Sequence, residues 1–154
     1  MIIGHGLRDR QVRGPLAPDD PPRTRVVRVR RYLCLRCDAV LVVLPRGVVA
    51  RRHFAATAIA WAFALVGLLG RTQSVAWAAV SAWGEPRSRW ITLARWCSAI
   101  VDGRIFGAVR GIARGAPLTA IAARAATVIR SVSPVRGGVA EEVFAGAVVA
   151  AHVR

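Results

Sequence analysis

Hydrophobic positions change their period along the chain. From Thr24 to Leu33 the pattern alternates, with Val27, Val29 and Leu33 on one face and Arg28, Arg30 and Tyr32 on the other, which predicts a half-buried strand. Arg31 interrupts its apolar face. Residues 4–14 read as a short polar strand, and Pro15 to Pro22, with four prolines and two aspartates, as a loop. Cys34-Leu35-Arg36-Cys37 makes a knuckle, and Ala39 to Leu44 returns as a third β-rich run before Pro45 and Gly47. Residues 1–50 are thus expected to form a basic β-ribbon.

The composition then turns apolar. Phe54 to Gly70 is seventeen residues without a charge, at the lower edge of a membrane span. One reading is a small membrane protein spanning at 54–70, with Arg51 and Arg52 as its cytoplasmic anchor. The other is a buried, alanine-rich helix with Trp61, Leu65 and Leu68 on one face and Phe63, Val66 and Leu69 on another. A second helix is expected over Gln73 to Trp83, with Val75, Ala79, Val80 and Trp83 facing inward. The third starts with Ser88 as N-cap and runs to about Val101, where Asp102-Gly103 stops it. At helical period Trp90, Leu93, Cys97, Ile100 and Val101 share one sector. Ser88, Thr92, Arg95 and Ala99 form the opposite line, with Arg89 and Trp96 at the border. Residues 54–103 so predict a three-helix unit. Residues 104–154, with a helix-like stretch from Pro117 to Arg130 and a final Ala/Val segment, show no chemistry and are expected to be a helical appendage for packing or dimerisation.

Charge narrows the partners. Twenty-three basic residues, all arginine, stand against eight acidic ones in 154 residues, a net +15. Arginine without lysine is also what GC-rich coding produces, so the excess of charge carries the argument. Residues 1–53 hold twelve arginines and four aspartates, so the charge is concentrated at the front. Such an imbalance favours DNA, RNA or an anionic membrane surface. Three cysteines cannot all pair with one another and the N-terminus is polar, so a reducing, cytoplasmic setting is expected.

Two motifs carry candidate chemistry. Cys34 and Cys37 have the spacing of half a tetrahedral zinc site, with His5, His53 and His152 as further candidates; His5 reaches the knuckle if the first two strands pair. A redox pair and a knuckle that closes no metal site are the alternatives. The third helix offers polar side chains in the manner of a helix-turn-helix, with a plain helical bundle as the alternative. There Arg95 and Thr92 would face bases, Ser88 would contact phosphate, and Arg89 at the border would join the DNA-binding residues. Arg28, Arg30 and Arg31, among the arginines along residues 8–52, are expected on the backbone of the nucleic acid. The eight acids show no spacing for a two-metal nuclease, and no phosphate loop or nucleophile constellation is present, so the chain is not expected to be an enzyme.

Taken together, Gly4-His5-Gly6-Leu7-Arg8-Asp9-Arg10, Arg30-Arg31-Tyr32-x-Cys34-x-x-Cys37, Leu44-Pro45-Arg46-Gly47, Arg51-Arg52 and Trp90-x-x-Leu93-x-x-Trp96 make residues 4–105 resemble a known arrangement. It is the zinc-ribbon plus helix-turn-helix region at the front of bacterial insertion-sequence transposases. The resemblance implies recognition of element-end DNA, with Cys34 and Cys37 as the second half of a zinc ribbon. It places the first Cys-x-x-Cys before Gly4, so the ribbon reads as truncated at its N-terminus. The catalytic acids of a full transposase are not found, and a separate catalytic chain or a second copy is the implied partner. The expected fold is mainly α: a zinc-ribbon-like hairpin, a three-helix helix-turn-helix and a helical appendage.

Overall fold

The computed structural model describes residues 1–84, 90–107 and 109–152, so Ser88 and Arg89 lie outside the described residues. Three strands, β1 (Ile2–Arg13), β2 (Thr24–Cys34) and β3 (Val40–Val43), form an antiparallel sheet in that order. Helices α1 (Ala56–Gly67), α2 (Gln73–Val80), α3 (Ile91–Val101), α4 (Leu118–Ser131) and α5 (Val139–Ala150) complete an α+β fold.

β1 is longer than its polar sequence predicts because it pairs with β2 along nearly its whole length, from Arg13 opposite Thr24 to Ile2 opposite Cys34, with an irregularity between Gly4 and Leu7. Directly paired residues share a face of the sheet. One face therefore carries Arg8, Arg10 and Val12 with Val29, Val27 and Arg25, and the other carries Leu7, Asp9 and Gln11 with Arg30, Arg28 and Val26. The first is the inner face, since Val12 and Val29 are buried. The sheet meets the helices at the end of β1, where the Arg13 N–H donates to His53 O at 2.7 Å and the Ala55 N–H to Arg13 O at 2.9 Å. Buried Thr57 adds a hydroxyl bond to Pro15 O at 2.7 Å.

α1 is the axis of the helical body. Ten of its twelve residues are buried, because α2, α4 and α5 all pack against it. A helix that is apolar all round needs such enclosure. Protein supplies it here: no helix among the described residues is long and apolar enough to cross a membrane.

The other helices depart from the expected faces. α2 ends at Val80 and buries Ala76 and Val80, leaving Val75 and Trp83 about half exposed, at 48% and 52%. α3 begins at Ile91, and the N–H of its N-cap Trp90 donates to Gln73 Oε1 at 2.8 Å. Trp96 and Ala99 are buried rather than bordering or outward. The cause is an aromatic cluster in which Phe54 and Trp90 each lie 5.0 Å, and Phe63 6.5 Å, from Trp96 between ring centroids, all edge-on. That cluster rotates α3 so that Ile91, Ala94, Arg95 and Ser98 face outward.

Residues 104–154 are part of the core. α4 packs on α1, α3 and α5, and one buried cluster runs from Val12 to Ala150 across the boundary expected after residue 103. Alanine and glycine faces allow this closeness: a Cβ on Gly67 would lie 2.1 Å from Ala123 N, and one on Gly146 would lie 2.0 Å from Ile129 O. Arg130 closes the α4–α5 corner, donating to Glu142 Oε2 from Nε at 2.8 Å and Nη2 at 2.5 Å.

Candidate nucleic-acid interface

The arginine-rich front of the chain is folded back on itself by one of its own arginines. Arg10 Nη2 donates to Val49 O at 2.8 Å and to Arg52 O at 2.7 Å, pinning the turn before α1 against β1. Burial, and then the neighbouring charge of Arg8, lowers the Arg10 pKa from its usual value. Arg51 in that turn takes a left-handed backbone, φ 58°, which costs a non-glycine residue about 1–2 kcal/mol.

The clip builds a basic surface. Arg8, Arg10, Arg51, Arg52 and His53 line a depression of about 390 Å³ that also meets Val29, Val42, Asp9 and Gln11. Arg52 is shared with a second depression of about 370 Å³, lined also by Arg95, Arg104, Ser98, Ile91 and Ala94. Arg104 is shared in turn with a third, of about 480 Å³, where Arg110 and His152 meet apolar residues including Val42, Val48 and Phe106. Each depression thus shares a lining arginine with its neighbour.

Of the residues singled out from sequence, Arg95 lies in the second depression, exposed, and Thr92 is half-buried at the margin of α3's open face. Ser88 and Arg89 fall outside the described residues. Arg31, half-buried, pairs with Val42 on the inner face of the sheet. Arg28 and Arg30 lie on the outer face, exposed, with Arg28 Nε 3.5 Å from Asp9 Oδ1. The structure thus separates Arg28 and Arg30 from Arg95. Arg10 and Arg52 fall among the arginines of residues 8–52 expected on the backbone, whereas Arg104 and Arg110 carry no local signal in the sequence.

The cysteine knuckle stands apart from this surface, at the turn between β2 and β3. Cys34 is half-buried and Cys37 exposed. The N–H of Arg36, then the thiol and N–H of Cys37, hold the Cys34 thiol below its usual pKa. His5 does not join them, because Cys34 pairs with Ile2. Three residues of strand separate the two, about 10 Å at strand rise. Among the described residues no group of three or more His, Cys, Asp or Glu side chains is placed to hold a metal. A tetrahedral zinc takes four ligands, so this donor set does not fit a zinc held by one chain. Cys97 is buried in the core, which pushes its thiol up to about 12.

Comparison with protein-family models, with curated proteins and with solved structures finds no match to this chain.

Proposed function

We propose that this chain binds duplex DNA on the face built by β1, the turn before α1, α3 and the segment after α3, and that it acts by recognition rather than by chemistry. The observation that carries this is the sharing of Arg52 and Arg104 among three adjoining depressions, which makes Arg8, Arg51, Arg52, Arg95, Arg104 and Arg110 one surface. Phosphate neutralisation by such a surface supplies affinity for any duplex. The outward side of α3 adds a candidate base contact, exposed Ile91, which suits a thymine methyl group, while Arg95, beside Arg52 and Arg104, is assigned to phosphate rather than to the guanine expected from sequence.

Recognition without catalysis is supported by how the carboxylates are used. Asp20 pairs with Arg23 and Arg25, Asp102 with Arg104, Glu142 with Arg130 and Asp9 with Arg28. These four of the eight acids are each paired with an arginine, and among the described residues no three acids are gathered as metal-assisted cleavage would require. Reading of element-end DNA, the role that the resemblance over residues 4–105 implies, is of this kind, and a separate chain would then supply the chemistry.

The test compares two sets of variants in duplex binding at fixed salt. Arg52→Gln, Arg95→Gln and Arg104→Gln together should weaken binding on the order of a hundredfold, from three lost phosphate contacts. Arg28→Gln with Arg30→Gln, on the outer face, should have a much smaller effect. Equal losses, or a larger loss from the outer pair, would overturn the assignment of the face.

A further inference from the structure

The second depression differs from its neighbours in its lining. Arg52, Arg95, Arg104 and Ser98 surround it with Ile91 and Ala94, and no carboxylate among the described residues lines it. The first depression includes Asp9, and the third has an extended apolar wall. We infer that this depression is a discrete phosphate site, which accepts a backbone diester but is matched most closely to a phosphomonoester dianion.

Charge balance sets that preference. Three guanidiniums contribute three positive charges, and Asp102, outside the lining, bonds Arg104 Nη2 at 2.5 Å and offsets one of them. The remaining charge of about +2 complements a phosphomonoester, which carries about −1.5 to −2 at neutral pH. A backbone phosphodiester carries only a single charge.

Geometry supports a phosphate site. Arg95 and Ser98 are three residues apart on α3 and so project on one side of it. Arg52 is held at its backbone, where its carbonyl accepts from Arg10, and its Nε is buried with no hydrogen-bond partner among the described residues. Among those residues no carboxylate forms an ion pair with Arg52 or Arg95. Arginines without an internal carboxylate partner give up no ion pair when they take phosphate oxygens. A volume of about 370 Å³ also falls at the small end of the range for small-ligand sites, about 300–1,000 Å³.

The phosphomonoester has two possible sources, a free phosphate ion or the terminal phosphate of a DNA strand. The second source rests on the DNA-binding reading, and the first does not. Two measurements separate them. In thermal melts at matched ionic strength, inorganic phosphate should raise the melting temperature of the parent and of Arg28→Gln relative to chloride, and should do so neither for Arg95→Gln nor for Arg104→Gln. In anisotropy titrations, a duplex with 5′-phosphates should bind about tenfold more tightly than the same duplex with 5′-hydroxyls, the size of one charge-assisted hydrogen bond. Arg95→Gln should abolish that preference. Phosphate stabilisation without a terminal-phosphate preference identifies the free ion as the ligand and keeps the site. Phosphate stabilisation without duplex binding keeps the site and removes the DNA reading. Duplex binding with neither phosphate effect, or phosphate effects that survive both substitutions, overturns the site and leaves the DNA reading standing.

Discussion

Arg10 differs from the other arginines around it in what its guanidinium touches. It bonds two backbone carbonyls, Val49 O and Arg52 O, from a partly buried position, and the basic surface depends on the turn it holds. Arg10→Met should lower stability by about 2–3 kcal/mol, as expected for hydrogen bonds from a charged donor, whereas Arg8→Gln should leave the denaturation midpoint nearly unchanged. Urea titration followed by circular dichroism checks both. Asp20 makes a second residue-scale prediction. The N–H of Leu16 first, then the Arg23 and Arg25 guanidiniums, hold its carboxyl at about 2 against an ordinary 3.8, with burial opposing them. A carboxyl depressed in the folded state stabilises fully above its unfolded value, so its contribution is present above about pH 4 and is lost as the pH falls towards 2. Asp20→Asn should flatten that part of the stability profile while leaving the neutral arm lower than the parent's. The thiols supply a third test: in the native state iodoacetamide should modify Cys34 and Cys37 and spare Cys97, which is 3% exposed and held protonated by burial. Alkylation of all three without denaturant would contradict the placement of α3.

At the scale of elements, the contacts that matter most are those where helices nearly touch. Gly67→Ala and Gly146→Ala would drive a methyl group into the backbone of α4 and should each cost about 2–3 kcal/mol, as overpacking does. Gly4→Ala, with nothing within 4 Å of its Cβ position, should change stability by no more than about 0.5 kcal/mol. Melts of the three variants decide this. These contacts also explain what the sequence made legible. The alternation of Val27, Val29 and Leu33 located β2, and prolines located the loop before it, because both are local signals. The uncharged run from Phe54 located α1 but left two readings open, since an apolar helix is equally at home in lipid and inside a ring of helices. That ring is made partly by α4 and α5, whose alanine-rich faces look bland until they meet α1. The inner face of α3 holds Trp90, Leu93, Cys97 and Ile100 as expected, but it extends to Trp96 and Ala99 for a similar reason. Helical period puts Trp96 on the border, and only the rings of Phe54 and Phe63, more than thirty residues earlier, turn it inward.

For the whole molecule, the central point is where +15 of charge is displayed. Sequence located the excess at the front of the chain but placed its working residues on two elements that prove to face different ways. Arg28 and Arg30 lie on the outer face of the sheet, while Arg95 joins Arg52 and Arg104. Chain position could not show this, because the Arg10 clip sets the 49–52 turn against β1 and the Phe54 ring meets Trp96 of α3, both contacts across the fold. The knuckle illustrates the opposite limit: its spacing was plain, yet the strand register that keeps His5 away from it was not. The most direct test of the DNA-binding account is the salt dependence of duplex affinity for the parent chain and for the Arg52, Arg95 and Arg104 triple glutamine variant. With about −0.9 per neutralised phosphate and six arginines on the surface, the parent should show a log–log slope of about −5, and the variant one of about −2 to −3. A parent without measurable duplex binding at low salt, or a slope that the three substitutions leave unchanged, would contradict it.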